Sequence, residues 1–296
     1  MPTTTANDVT IHYETFGEPG APTFLLVNGL GSQLINYEPE FCRLLVDQGF
    51  QVAVFDNRDV GLTSKTDGPP PDVASLIGRL RAGDAVDPGE VPYTLTDMAG
   101  DAFAVLDAIG VERAHVAGMS MGGMIVQRMA IDRPERVLSM TSIMSTTGRP
   151  GVGGATPEAA AVLVAPPPPD RAGFIEHTVK SRAVTAGAHH DDGYWQVKAG
   201  ESYDRMFHPI GSAFQIAAVT ADGDRTAKLE TLQVPALVIH GRMDPLIQLS
   251  GGEATAAAIP GSELLVIDAM GHDLPPQIWD EVSSAMVGLA RTATTG

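Results

Sequence analysis

Cysteine is almost absent from the 296-residue chain, and it has no long apolar run. The single cysteine, Cys42, excludes an internal disulfide, and its place in an apolar helical pattern predicts a small buried side chain. The apolar runs, such as Thr23–Val27 and Ala236–Ile239, are far shorter than the roughly 20 residues of a membrane-spanning helix. The N-terminal segment Met1–Thr5 has neither the basic nor the apolar region of a secretory signal. We therefore expect a cytoplasmic protein without a membrane partner.

Positive charge is also scarce. Lysine and arginine together number 19 against 36 acidic residues, which gives a formal net charge of −17. A polyanion repels phosphate backbones, so nucleic acid is excluded as a partner, and the evenly spread acidic residues favour solubility instead. With 44% hydrophobic and 19% charged residues, the chain has an ordinary globular composition and can bury a sizeable core.

Motifs for cofactors and metals are weak. Gly151–Gly154 is glycine-rich, but no strand leads directly into it and no helix clearly follows, so it does not fit a dinucleotide-binding loop. The cluster His189–Asp192 has no cysteine or further ligand pattern to support it, which argues against a metal site. We predict that the protein needs neither a metal nor a cofactor.

Short apolar runs and helical patterns alternate along most of the chain. The helical pattern is clearest over Leu95–Ile109, where apolar residues recur at steps of three and four before the stop at Gly110. Strands are predicted at Val9–Thr15, Thr23–Val27, Gln51–Phe55, Ala114–Ala117, Val137–Ile143, Val234–His240 and Leu264–Ile267, and further helices at Pro39–Gln48, Met121–Ile131 and Ile278–Leu289. This alternation predicts an α/β fold with a mostly parallel central sheet and helices on both faces.

The alternation is interrupted between residues 145 and 228. This segment contains four consecutive prolines, Pro166–Pro169, followed by helical patterns with several aromatic residues. We therefore predict that residues 1–144 and 229–296 form one core, and that residues 145–228 are inserted between two strands of its sheet.

The stretch Ala117–Gly123, AGMSMGG, joins a predicted strand to a predicted helix. Within it, Gly118 to Gly122 read G-x-S-x-G, in which the glycines let strand and helix approach closely around a strained serine. The serine side chain is thereby held at the C-terminal edge of the sheet, where the positive end of the helix dipole also lies. We therefore predict that Ser120 is a nucleophile.

A serine nucleophile needs a base and an acid that orients the base. Among eight histidines, His272 lies in the loop after the last predicted strand, at the same sheet edge as Ser120. Asp244 directly follows the strand Ala236–Ile239, whereas the loop after Val137–Ile143 offers no carboxylate. The predicted catalytic triad is Ser120, His272 and Asp244.

An oxyanion formed at Ser120 needs backbone donors nearby. One is the N–H of Met121, the residue directly after the nucleophile. The loop after an early strand should supply the other, and the N–H of Leu30 is our candidate. An ordinary polar turn is the alternative for this loop when it is taken alone.

These motifs, in this order, resemble the α/β-hydrolase family over nearly the whole chain. The elements that carry the resemblance are Asn28–Ser32, Asp56–Thr63, Gly118–Gly123, Gly241–Pro245 and Gly271-His272. Asn57–Gly61 and Met270–Pro275 are similar to the branch of aclacinomycin methylesterase and related small-molecule carboxylesterases. The family usually has histidine where this chain has Asn28, so we expect Asn28 to alter the shape and polarity of the pocket.

The resemblance implies that residues 145–228 form a helical cap over the site. Several side chains of this segment are candidates for the pocket, although for any one of them packing onto the core is the simpler role. They are Trp195, Tyr203, Met206 and Phe207.

The motifs and the resemblance together predict a serine hydrolase that cleaves carboxylic esters of small molecules through an acyl-enzyme on Ser120. Alternatives with the same triad are acyl transfer to peroxide or an amine, and amide cleavage as in an aminopeptidase. A non-catalytic ligand-binding protein is a more remote alternative. An aminopeptidase should hold the substrate amine with acidic cap residues, and the available ones are Glu176, Asp191, Asp192, Glu201 and Asp204. The sequence leaves the oligomeric state open.

Overall fold

One eight-stranded sheet forms the centre of the protein. The computed structural model describes residues 2–295, and for residues 80, 81, 294 and 295 it describes the backbone alone. The predicted core extends from residue 1 to residue 296, and these two terminal residues lie outside the described range. The strands are β1 (Thr3–Ala6), β2 (Val9–Phe16), β3 (Thr23–Val27), β4 (Gln51–Phe55), β5 (Ala114–Met119), β6 (Val137–Ile143), β7 (Ala236–Gly241) and β8 (Glu263–Ile267). They lie in the order β1-β2-β4-β3-β5-β6-β7-β8; β2 runs antiparallel to its two neighbours, and β3 to β8 run parallel.

Helices cover both faces of this sheet. They are α1 (Pro39–Val46), α2 (Val73–Ala82), α3 (Leu95–Ala108), α4 (Met121–Asp132), α5 (Pro157–Val164), α6 (Arg171–Thr185), α7 (Asp192–Arg205), α8 (Gly211–Asp222), α9 (Thr226–Leu229), α10 (Leu249–Ala258) and α11 (Trp279–Thr295). Alternate side chains of a strand point to opposite faces. In β3, Leu25 and Val27 pack with α3 and α4, while Phe24 and Leu26 pack with α1 and α11. The predicted mostly parallel α/β sheet with helices on both faces is confirmed.

The segment between β6 and β7 contains α5 to α9. Helices α5, α6 and α7 pack in sequence against one another. Helix α8 differs, because Phe214 and Ala218 are fully buried in the same apolar cluster as α3 and α4. The predicted insertion therefore includes one helix that packs as part of the core, and its bounds of 145 and 228 remain a prediction. Among the described helices, none is long and apolar enough to cross a membrane.

Candidate active site

The turn between β5 and α4 holds Ser120 in a strained conformation. Its backbone has φ 55° and ψ −118°, a region that residues other than glycine rarely adopt. The chain can turn this sharply because two flanking residues lack a side chain: a Cβ on Gly118 would lie 2.1 Å from the carbonyl oxygen of Gly122, and one on Gly122 would lie 2.1 Å from that of Val27. The Ser120 N–H donates to the Ile143 carbonyl at 2.9 Å. The strained turn is thereby fastened to the neighbouring strand.

Ser120, His272 and Asp244 form one hydrogen-bonded chain. The Oγ of Ser120 lies 3.0 Å from Nε2 of His272, and Nδ1 of His272 lies 2.7 Å from Oδ2 of Asp244. A carboxylate can only accept, so Nδ1 carries the proton and Nε2 is free to accept from the serine hydroxyl. The second carboxylate oxygen, Oδ1, accepts from the N–H groups of Leu246 and Ile247 at 2.8 and 2.9 Å. The three predicted triad residues are therefore within hydrogen-bond distance of one another in turn, and both carboxylate oxygens of Asp244 accept hydrogen bonds.

His240 lies beside this chain without joining it. Its Nε2 donates to the Ile247 carbonyl at 2.7 Å and lies 3.7 Å from Oδ2 of Asp244. Burial lowers the pKa of His240, which favours the neutral ring. His240 thus holds the loop that carries the acid, in keeping with the structural role that its strand-end position indicates.

The loop of His272 is fastened to the C-terminal end of α6. The His272 N–H donates to the Thr185 carbonyl at 2.7 Å, and Oδ1 of Asp273 accepts from the N–H of Gly187 at 3.0 Å. A Cβ on Gly271 would lie 2.3 Å from the backbone nitrogen of Gly187, so the two segments touch. Nothing in the sequence indicates this contact between the His272 loop and the end of α6. The contact fixes α6, one wall of the site, relative to His272.

The two predicted oxyanion donors lie on segments next to Ser120. Met121 begins α4, so its N–H has no partner in the preceding turn. Leu30 follows Gly29, where an added Cβ would lie 3.2 Å from the Cβ of Ser120. Within residues 2–295, neither N–H has a hydrogen-bond acceptor. Both groups are therefore free to bind an oxygen atom beside the serine.

A cavity of about 310 Å³ opens over Ser120 and His272, between the sheet edge and helices α5 to α7. Of the predicted pocket residues, Trp195 lines this cavity. Met206 and Phe207 line an adjoining cavity of about 430 Å³ instead. Six residues border both cavities and join them into one elongated space: Gly31, Leu163, Ala165, Pro167, Phe174 and Ser212.

Two predicted pocket residues line neither of these cavities. The Asn28 side chain, at the start of the loop that carries Leu30, is fully buried, and the main-chain oxygen of Asn28 accepts from Nδ2 of Asn57 at 3.0 Å. The ring of Tyr203 packs 4.7 Å from that of Phe207, and its hydroxyl donates to the Pro169 carbonyl at 2.7 Å. Asn28 and Tyr203 therefore shape the surroundings of the pocket without facing it, which corrects the prediction for both.

The cavity wall formed by α6 and α7 carries two cations. Nζ of Lys198 lies 2.9 Å from a Glu38 oxygen and 3.1 Å from a Glu201 oxygen, so its charge is neutralised by direct ion pairs. The Arg182 guanidinium lies over the ring of Trp195, with Cζ 4.4 Å from the ring centroid. Among the described residues, no carboxylate is within ion-pair distance of Arg182. The aromatic pattern of the sequence pointed to Trp195 but not to this arginine.

The sequence and the fold are both similar to known hydrolases. The profile of the alpha/beta hydrolase fold family matches residues 22–277. Rhodomycin D methylesterase of Streptomyces peucetius is 27% identical, over 99% of this chain and 100% of that protein. The 3-oxoadipate enol-lactonase 2 of Acinetobacter baylyi is 28% identical, over 90% of this chain and 88% of that protein.

Among solved structures, a meta-cleavage product hydrolase from Pseudomonas fluorescens superimposes with a TM-score of 0.78. The match covers 99% of this chain and 98% of that chain at 19% sequence identity. At this identity the likeness concerns the fold alone. The resemblance to α/β hydrolases, with methylesterases among the relatives, is thereby confirmed.

Proposed function

Because the chain belongs to the alpha/beta hydrolase fold family, we propose that it is a serine hydrolase that cleaves carboxylic esters of small molecules. The observation that carries the proposal is the hydrogen-bonded chain of Ser120, His272 and Asp244, with distances of 3.0 and 2.7 Å. The relatives named methylesterase and enol-lactonase support ester hydrolysis in general. The acyl-enzyme and the substrate are parts of our proposal.

In the proposed reaction, His272 removes the proton from Ser120 as the serine oxygen attacks the ester carbonyl. Asp244 holds the imidazole in the reactive tautomer and stabilises the imidazolium that forms. The N–H groups of Met121 and Leu30 stabilise the negative oxygen of the tetrahedral intermediate. His272 then protonates the leaving alcohol, and a water molecule repeats the sequence on the acyl-enzyme.

The charges around the cavity favour an ester over the amine-bearing substrate of an aminopeptidase. The five acidic residues that could hold an amine are engaged elsewhere: Glu176 with Lys180, Asp204 with Arg171, Asp192 with His190, Glu201 with Lys198, and Asp191 as the N-cap of α7. The cavity lining holds two cations, Arg182 and Lys198, which repel an ammonium group. It also holds the carboxylate of Asp273, whose Oδ1 accepts from the N–H groups of Gly187 and Gly271.

A substrate screen tests the proposal. Initial rates are measured on p-nitrophenyl esters of graded acyl length and, in parallel, on amino-acid p-nitroanilides. We expect turnover of the esters and loss of that turnover in Ser120→Ala. Turnover of the anilides alone would replace the esterase by an amidase, and ester turnover that persists in Ser120→Ala would exclude the proposed nucleophile.

A further inference from the structure

The position of Arg182 relative to the triad is fixed by the backbone. Arg182 lies on α6 three residues before Thr185, whose carbonyl accepts the His272 N–H at 2.7 Å. Three residues of an α-helix span about 4.5 Å, so the arginine is within one helical turn of the segment that holds His272. Its side chain lines the same cavity as Ser120. An anion bound at Arg182 is therefore within a small molecule's length of the nucleophile.

The charge of Arg182 is poorly compensated by the protein. Burial lowers the pKa of its guanidinium, although Asp273 acts in the opposite direction. Within the described residues Asp273 makes no ion pair with Arg182, and its Oδ1 accepts from the N–H groups of Gly187 and Gly271 at 3.0 and 3.3 Å. The contact that fixes Arg182 is its stacking on the Trp195 ring. Stacking leaves the edge of the guanidinium, with its N–H donors, free to bind a ligand in the plane of the group.

The rest of the molecule makes this arginine unusual. The chain carries a formal charge of −17, and the other cavity cation, Lys198, has two acidic partners. A cation that is half-buried in a catalytic cavity, and unpaired in so acidic a protein, is stabilised when a ligand brings the missing negative charge.

We propose that Arg182 binds a carboxylate of the substrate, so that the enzyme prefers esters whose acyl part ends in a second, free carboxylate. The inference rests on the proposed ester hydrolysis and specifies its substrate class. A planar guanidinium matches the two oxygens of a carboxylate with two parallel N–H donors. One arginine suits the single charge of a carboxylate, whereas phosphate groups are usually held by several donors. The product is then a dicarboxylate.

The test compares two esters that differ only at the far end of the acyl chain. Monomethyl glutarate ends in a carboxylate and methyl pentanoate in a methyl group, and hydrolysis of both is followed by methanol release. We expect the wild-type enzyme to favour monomethyl glutarate in kcat/KM. Arg182→Met should lower kcat/KM for that ester by about 10- to 100-fold, mainly through KM, because charge-assisted hydrogen bonds are lost. Methyl pentanoate should change by less than about 3-fold, and Arg182→Lys should retain part of the preference.

Lys180→Met is the matched control, because Lys180 is an exposed cation on the same helix, paired with Glu176. It should leave both rates unchanged. Inhibition adds a readout that does not depend on the variant's stability: glutarate should inhibit wild-type methyl pentanoate hydrolysis at concentrations where uncharged glutaramide does not.

Three results overturn the inference: equal losses on both esters in Arg182→Met, a wild-type enzyme without preference for the carboxylate, or equal inhibition by glutarate and glutaramide. Each of them leaves ester hydrolysis standing. Failure to hydrolyse any ester, with Ser120 unreactive, contradicts the proposed function itself.

Discussion

Ser120, Asp244 and His272 lie at strand ends, buried or half-buried, and backbone hydrogen bonds hold the segments that carry them. Helices α5 to α7, on the other side of the cavity, bury few residues, among them Ala159, Thr185, Ala199 and Gly200. The cavity wall that carries the triad is therefore held by the sheet, whereas the wall formed by α5 to α7 consists mostly of side chains that are at least partly exposed. The difference suggests that the sheet edge determines the reaction, while the helices determine which molecule undergoes it.

The largest effect should follow from a change at the sheet edge. Asp244→Asn preserves the shape of the acid but removes its charge, and the amide can no longer hold His272 in the reactive tautomer. We expect kcat on p-nitrophenyl acetate to fall by about 10⁴-fold, as is typical for this change in a serine triad. Asp268→Asn is the control, because that exposed carboxylate pairs with Arg242 at the same end of the sheet. A loss of less than about tenfold in Asp244→Asn would remove Asp244 from the mechanism.

The turn Gly118–Gly122 should also be far less tolerant of added volume than the segment before α5. Gly122→Ala places a methyl group 2.1 Å from the Val27 carbonyl oxygen, whereas an added Cβ at Gly154 meets no atom within 4 Å. Overpacking of this kind costs about 1–3 kcal/mol, and more where backbone must move. We expect urea unfolding to show a loss of at least that size for Gly122→Ala and almost none for Gly154→Ala. Equal stability of the two variants would contradict the tight packing of this turn.

A pH effect on stability should arise from the sheet. Burial lowers the pKa of His115 in β5 to about 4, against 6.5 for an ordinary histidine. Between pH 6.5 and pH 4, His115 is therefore protonated in the unfolded chain but mostly neutral in the folded protein. The free energy of unfolding falls by about 3 kcal/mol by pH 4 as a result. Burial also lowers the pKa of His12 and His240, which adds in the same direction.

The variant His115→Phe isolates this contribution. It keeps the ring against Phe24 and Phe50 and removes the titrating group. Urea unfolding at pH 7, 5.5 and 4 should show a shallower loss of stability for the variant than for the wild type. Parallel curves for the two proteins would mean that His115 titrates alike in the folded and unfolded states.

The smallest effect should come from the helices above the site, and it should depend on the substrate. Leu163 of α5 borders both cavities, so Leu163→Trp narrows the passage between them. We expect kcat/KM to fall about tenfold for p-nitrophenyl octanoate and to stay unchanged for the acetate, since lost apolar burial is worth about a kilocalorie per methylene. Val197→Trp, on an exposed position of α7, is the control. Equal losses on both esters would show that α5 affects the chemistry as well.

The sheet edge could be predicted from sequence because its signals are local. Buried parallel strands appear as short apolar runs, and the G-x-S-x-G turn, Asp244 and His272 each directly follow such a run. The order of parallel strands then brings their C-terminal ends to one edge. Elements without such a signal were missed, among them β1, α2 and α10.

The cavity wall could not be predicted, because it depends on how helices pack over long sequence distances. The position of Asn28 in the loop that carries Leu30 predicts a place in the pocket, but only the fold shows that its side chain is fully buried. Arg182 was not identified at all. Its proposed role rests on the lack of a carboxylate within ion-pair distance among the described residues and on the contact between Thr185 and His272, and neither has a sequence pattern.

The account rests on the claim that Ser120 is a nucleophile activated by His272. Mass spectrometry after reaction with a fluorophosphonate probe at mildly alkaline pH tests this most directly. We predict one adduct per chain, located on Ser120, absent in Ser120→Ala and formed much more slowly in His272→Gln. Folded wild-type protein that takes up no probe, or an adduct on another residue that persists in Ser120→Ala, would contradict the claim.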